Sequence, residues 1–405
     1  MSLVRSLTRD LSLSALAAGA IAVAVSYAGP AAIIFEAAKS GGLSPSQVSS
    51  WIWAVSVGSG ITGIYLSLRF KAPVITAWST PGAALLVSSL GQYGYAEALG
   101  AYIVSALLIA GLGVTNLFSR VMAWLPKSLV AAMLAGVLFR FGIGLFLSLE
   151  QASGLVLPIV AGYLVGRRLL PRYAVVLALA TGLCVAASLG LLDGASLSLS
   201  LAEPQWTSPS FTLSAVVGLG LPLCFVTMAS QNAPGVGVLQ SAGYSVPVSP
   251  LVTTTGLWSL LLAPFGAHGI NLAAITAAIC TGPECHPERE RRYVAGVACG
   301  SLYLLVGAFG TTVVSLFILL PVPLVTAVAG LALLGALAGG LAGAMHDESR
   351  REAGLVAFLI TASGVSFFGV GSAFWGMCGG LVADGLIRGR LPRRSRGDGA
   401  IPRAG

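Results

Sequence analysis

Ser79, Thr80, His268 and Asn271 are the residues of this chain whose types and settings could hold an anion or move a proton. The first two lie in APVITAWSTPGAALL (72–86) and the others in APFGAHGINLAAITAAI (263–279). Both stretches put proline, glycine and polar side chains between apolar runs. A break of this kind inside a membrane helix frees backbone groups that lipid cannot satisfy, so it survives only where it is buried in protein or lines a cavity. Ser79-Thr80-Pro81 reads as a helix start after the β-branched and aromatic run Val74–Trp78, with a capping hydroxyl and proline in the first turn. Phe265–Gly269 reads as irregular, and Asn271 can start the apolar helix that follows, 272–281. Two short helices would then point their N-termini at each other near mid-membrane, each offering free N–H groups and about half a positive charge. The chemistry is anion binding. Ser79, Thr80 and Asn271 supply donors, Gly82 and Gly269 bring backbone close, and Tyr27 and Gln231–Asn232 are the natural flanking walls.

The elements that must carry such a site follow from composition. Of 405 residues 56% are hydrophobic and only 9% charged, and the mean hydropathy is +0.90. Soluble domains carry about 25% charged residues, so this chain cannot cover itself with a hydrated surface. The apolar runs are continuous and lack the alternation of barrel strands, which leaves a polytopic helical membrane protein. At about 20 residues per crossing, the chain fits about fourteen. The expected spans, first to fourteenth, are 11–34, 48–68, 74–91, 96–118, 127–147, 152–167, 173–191, 211–230, 250–263, 267–281, 293–317, 322–342, 353–369 and 372–387. The first follows Arg5 and Arg9 as a signal peptide would, but it is too long and lacks a small-residue cleavage site.

The net charge of +8 does not point to nucleic acid. With both termini cytoplasmic, all of the 22 Lys and Arg but Lys39 and Arg140 fall in cytoplasmic segments, as the positive-inside rule requires. An inner-membrane location with a basic cytoplasmic tail over 389–405 follows.

An internal repeat supports the same architecture. SYAGPAAIIFEAAKSGGLSPSQ (26–47) and SQNAPGVGVLQSAGYSVPVSP (230–250) each combine a proline-interrupted helix, small residues, a glycine turn and Ser-Pro. One hydrophobic span follows each, and then come the two broken stretches, with Pro73 opposite Pro264 and Thr80 opposite Asn271. Seven spans precede the second copy, and because seven is odd the copies enter the membrane from opposite sides. Such a 7+7 inverted repeat, with broken third and tenth spans meeting at mid-membrane, is typical of secondary transporters.

Few other ionisable groups lie within spans. His268, beside the expected anion site, is either a proton carrier or a neutral ring bonded to a freed carbonyl. Glu36 is either an ion-pair partner for Lys39 at helical spacing or part of a proton path. Arg140 could attract an anion but would ordinarily snorkel or pair. The ERERR run at 288–292 reads as a solvated loop. Cys280, Cys285 and His286 lack the paired spacing of a metal site, and Cys184, Cys224, Cys299 and Cys378 read as ordinary thiols; no metal or cofactor is expected.

TAWSTPGAALL (76–86), TMASQNAPGVGVLQSAGY (227–244), LLLAPFGAHGINLAAITAAICTGPECHP (260–287) and GSAFWG (371–376) resemble the benzoate/proton symporter (BenE-type) family, related in fold to uracil and xanthine permeases and sulfate-type anion transporters. The similarity runs from about residue 11 to 388. It implies a core domain from 1–120 and 207–318 and a gate domain from 121–206 and 319–388. It also implies substrate held between the third and tenth spans, and a homodimer through the gate domains. The implied substrate is a small aromatic carboxylate imported with a proton, which suits aromatic flanks such as Tyr27, Trp78 and Phe265. Nucleobase relatives carry carboxylates in the eighth and tenth spans, where this chain offers Gln231, Asn232, His268 and Asn271. An enzyme is not expected, for there is no HExxH and no cluster of carboxylates in the spans. A channel would need a continuous polar lining. A sulfate-type exchanger or a nucleobase permease of the same fold is the alternative.

Overall fold

The structure, a computed structural model, describes residues 7, 9–118, 120, 126–192, 199–283, 285–368 and 372–388. The tail over 389–405 lies outside the described residues. The chain is mostly helical, and a helix or half-helix lies within each of the expected spans. Among the described residues seven helices are long and apolar enough to cross a bilayer unaided, and an eighth if Arg289–Ala308 and Gly310–Ile318, bent by 70°, form one span. The other expected spans hold shorter helices, from Ser153–Leu169 with 17 residues down to Ile275–Thr281 with 7.

The first span breaks where its proline predicts. Leu13–Ala28 ends at Gly29, and Pro30 opens the helix Pro30–Ser40. Its counterpart, the eighth, does not break. Helix runs on from Leu213 to Ser241 and widens into five-residue π-helical turns at Val216–Gly220 and Met228–Asn232. Pro222 and Pro234 explain them. A proline cannot donate to the carbonyl four residues back, and its ring crowds that carbonyl. Here those carbonyls belong to Gly218 and Ser230, both inside the widened turns, so a local π-bulge absorbs each proline without a kink.

The tenth span also departs from expectation. Asn271 does not start a helix: Ile270–Leu272 is a β-strand, and the helix Ile275–Thr281 follows from Ala274. This strand, β2, pairs antiparallel with β1, Thr76–Trp78 of the third span, in the register Thr76↔Leu272, Ala77↔Asn271 and Trp78↔Ile270. The ladder continues at both ends, with Ser79 N–H donating to Gly269 O at 3.1 Å and Ala273 N–H to Ile75 O at 2.9 Å. Each broken span thus supplies the backbone partners the other has lost.

In a two-stranded ladder alternate N–H groups face outward. Those of Ile270 and Leu272 are taken by Ser259 Oγ at 2.7 Å and Asn232 Oδ1 at 3.0 Å. On the β1 side Ser67 bonds both N–H and C=O of Val74, and Thr76 Oγ1 donates to Ser59 O at 2.7 Å. Ser67 and Ser259 belong to the helices Pro45–Phe70 and Val248–Leu262, which precede the two breaks. Close approach makes this possible: a Cβ on Gly58 would sit inside the Ile270 side chain.

Around the crossing, Pro45–Phe70 packs on Tyr293–Ala308, and Tyr95–Val114 on Val248–Leu262. Gly60 and Gly300 set the first contact, since a Cβ on either would lie within 3 Å of the other's carbonyl oxygen, at 2.7 and 2.6 Å. Small residues at such contacts are the usual means of helix association in lipid. Lys127–Gln151 packs instead on Val322–Met345 and Arg351–Ser363, and the latter on Ser372–Ile387.

Removing the Ser259 hydroxyl leaves a buried N–H unpaired, at a cost of about 1–3 kcal/mol. Ser259→Ala is therefore expected to lower the thermal unfolding midpoint in detergent. Ser301→Ala, which loses only an exposed bond within its own helix, should leave it unchanged. Equal midpoints for the two variants would contradict the bracing role.

Candidate substrate site at the strand crossing

Ser79 organises the crossing. It ends β1 and caps the ten-residue half-helix Thr80–Ser89, its hydroxyl accepting from Gly82 N–H at 3.1 Å. The same hydroxyl accepts from Thr227 Oγ1 at 3.0 Å. Its carbonyl accepts from Ala83 N–H at 2.8 Å and from the His268 ring at 3.0 Å. Its N–H, besides Gly269 O, meets the Asn271 side chain. With Oδ1 accepting from Ser79 N–H at 2.8 Å and Nδ2 donating to Leu272 O at 3.0 Å, both ends of that amide are satisfied. Proline at Pro81 and the capping serine fix this half-helix start as the sequence predicts.

His268 is held by two bonds. Trp51 Nε1–H donates to its Nδ1 at 2.9 Å, and Nε2 meets Ser79 O at 3.0 Å. An indole nitrogen can only donate, and a carbonyl can only accept. The ring is therefore the neutral Nε2–H tautomer, and a proton added at Nδ1 would displace Trp51. Trp51 and Tyr102 stand edge-on to the ring, with centroids 5.5 and 6.4 Å away. Gly266 makes the approach possible. Its φ of +106° is in the left-handed region, and a Cβ there would meet Tyr95 Oη at 2.7 Å.

The sequence-predicted residues separate by whether their polar groups are engaged. Ser79, Asn232, His268 and Asn271 are buried and committed to the fold. Tyr27, two residues before the Gly29 break, bonds Ser56 Oγ. Thr80 and Gln231 are half-buried and have no side-chain partner among the described residues. A Cβ on Gly82 would crowd Leu223 Cδ1 at 2.7 Å and Ser79 Oγ at 2.8 Å, and Gly269 carries a φ of +156°. Glu36 lies half-buried on Pro30–Ser40. Its expected ion pair with Lys39 is not among those formed by the described residues. Arg140 pairs rather than waits for substrate: it donates to Ser363 O at 3.0 Å and Ala362 O at 3.4 Å, at the C-terminus of Arg351–Ser363, where a cation is favoured. Among the described residues no carboxylate bonds to the groups of the crossing, whose side-chain partners are neutral.

Sequence reasoning missed Trp51, Thr227, Ser259 and Tyr303. Trp51 and His268 are 217 positions apart, and nothing local marks the pair. Tyr303 joins Tyr27 and Trp78 in an aromatic cluster, with centroids 4.9 to 6.0 Å apart. Only its place within a small-residue helix, Tyr293–Ala308, could have drawn attention to it.

Residues 9–386 match the family model described as benzoate membrane transport protein. The chain is 42% identical to the benzoate membrane transport protein of Acinetobacter baylyi over 382 residues, 94% of this chain and 97% of that one. It is 44% identical to the inner membrane protein YdcO of Escherichia coli over 367 residues, 91% and 94% of the two chains. The fold is similar to the transmembrane domain of the cyanobacterial bicarbonate transporter BicA, with TM-score 0.61 and 15% identity, covering 87% of this chain and 97% of that one. It is also similar to SLC26A9, with TM-score 0.60 and 12% identity, covering 93% and 65%.

A double-mutant cycle tests the latch on His268. Trp51→Phe and His268→Ala should each destabilise the detergent-solubilised protein, and together by less than their sum. The coupling expected for a direct buried bond is about 0.5–3 kcal/mol. Additive losses would mean the two rings do not act on each other.

Proposed function

Since the chain belongs to the benzoate membrane transport family, a family of membrane transporters and not of enzymes, we propose that it imports a small aromatic carboxylate of the benzoate type together with a proton, by alternating access. The observation that carries this reading is the division of labour at the crossing. Thr80, at the start of a half-helix, and Gln231 have no side-chain partner among the described residues, whereas Ser79, Thr227, Asn232, His268 and Asn271 are engaged. The carboxylate is received by the Thr80 hydroxyl, the Gln231 amide and the positive end of Thr80–Ser89. Ser79, Gly82, Asn232, Gly269 and Asn271 position these groups. Tyr27 walls the site.

A carboxylic acid with a pKa near 4, like a side-chain carboxyl, is almost wholly ionised at pH 7. Moving it inward against 100 mV costs about 2.3 kcal/mol per charge, and a proton carried along removes that cost. His268 is proposed as the coupling group. Alone, a charged imidazole buried here would be uncompensated and would lose Trp51. Beside a bound carboxylate the same charge is paired. Anion and proton therefore favour each other's binding, and by linkage they do so equally. Glu36, half-buried in the first span, is the second candidate for the proton path.

Movement follows the packing. The helices around the crossing form the core and those around Lys127–Gln151 the gate, and the two alternate about the site as in other inverted-repeat transporters. The matching serine braces, Ser67 and Ser259, and the antiparallel strands are what a two-fold-related pair of halves would produce, and they support the 7+7 arrangement. An inner-membrane homodimer with both termini cytoplasmic completes the proposal.

The test is uptake of labelled benzoate into proteoliposomes, above the passive entry seen in protein-free vesicles. Wild type should show saturable uptake that an inward proton gradient accelerates and that excess sulfate or bicarbonate does not inhibit. Exchange that requires an internal anion and ignores the gradient would instead favour an exchanger of the same fold. Thr80→Val should weaken benzoate binding about 10- to 150-fold, as loss of one bond to a charged group predicts, without changing thermal stability. His268→Gln should still bind but lose its response to the gradient. A variant that keeps the wild-type response would remove His268 from the coupling role.

A further inference from the structure

Trp78 is 2% exposed, and its indole N–H has no hydrogen-bond partner. A buried unpaired donor costs free energy comparable to a lost hydrogen bond, and native structures avoid it unless the group has another use. Among the described residues, other buried groups also lack hydrogen-bond partners: the hydroxyls of Tyr102, Ser128, Thr276 and Tyr303, and Arg350 Nε and Asp384 Oδ1, which face each other as an ion pair at 3.4 Å. A hydroxyl hydrogen can turn toward a nearby acceptor, but an indole N–H points where its ring points.

That ring is fixed. Trp78 closes β1, directly before the capping Ser79 of the half-helix Thr80–Ser89. Tyr27 and Tyr303 stand edge-on to it, with centroids 4.9 and 5.8 Å away and interplanar angles of 77° and 76°. Tyr27 is itself held through its hydroxyl by Ser56. Among the described residues the only comparably buried tryptophan is Trp51, whose N–H is spent on His268. One tryptophan thus latches the fold, and the other holds a donor in reserve at the helix start.

We propose that the Trp78 indole N–H donates to the carboxylate of the transported acid and is a determinant of selectivity for aromatic acids. This rests on the transport reading above. A donor that cannot accept favours an ionised carboxylate over a hydroxyl or amine in the same place. A charge-assisted bond is also the strong kind. The edge-on tyrosines add an apolar, aromatic surround that suits an aryl ring attached to that carboxylate.

The indole resonances of the seven tryptophans, labelled with nitrogen-15, can be followed in the detergent-solubilised full chain as benzoate is added. Trp78→Phe identifies the Trp78 signal, or the other six Trp→Phe variants do so by elimination if that one fails to accumulate. The Trp78 signal should move downfield and saturate with benzoate, and Trp78→Phe should lower benzoate affinity about 10- to 100-fold. If benzoate binds saturably but the Trp78 signal stays put, or Trp78→Phe binds as wild type does, this assignment fails and the transport reading stands. If wild type shows no saturable benzoate binding, both fail.

Discussion

Two interrupted helices in a hydrocarbon environment must find partners for the backbone groups they have released, and here each finds them in the other. The three-residue ladder between Thr76–Trp78 and Ile270–Leu272 is the constraint on which the rest depends. It holds irregular backbone at membrane depth without exposing it to lipid. It sets the half-helices Thr80–Ser89 and Ile275–Thr281 at the two ends of one short ladder. It also gathers polar side chains of three helices, Ser67, Ser259, and Asn232 with Thr227, onto one small region. Polar groups that would be expensive elsewhere in the bilayer are used here to satisfy one another.

Satisfying the backbone consumes most of the polar side chains that could have served a ligand. Asn271 and Asn232 look like binding residues in sequence but are taken up by Ser79, Leu272 and Met228. Thr80, Gln231 and the Trp78 indole are left over. A transporter needs such a division, because the site must keep its shape while one face of it releases substrate. His268 stands between the two groups: it is engaged in the structure, and the coupling proposed for it requires its Nδ1 to exchange the Trp51 bond for a proton when a carboxylate is bound.

The breaks themselves were legible because proline and glycine act locally. Pro81 after Ser79 specifies a helix start, and Gly29-Pro30 specifies a helix end followed by a new beginning, whatever lies around them. What these breaks pair with was not legible. Asn271 reads as a cap in its own window, and becomes a strand residue because Ala77 lies opposite. Pro234 reads as an interruption, and a π-helical turn absorbs it. Glu36 and Lys39 have the spacing of an ion pair but do not form one, whereas Arg140 finds its carbonyls 222 and 223 positions away. Sequence windows report backbone preferences well, but the choice of polar partner is made across the fold.

The central claim is that the anion brings its proton with it at this site. Calorimetric titration of benzoate into the detergent-solubilised protein at pH 7, repeated in buffers of different ionisation enthalpy, counts the protons taken up on binding. The account requires close to one proton per benzoate in wild type and close to none in His268→Gln. Benzoate binding with no proton uptake by wild type would contradict it, and an equal uptake by the variant would place the proton elsewhere.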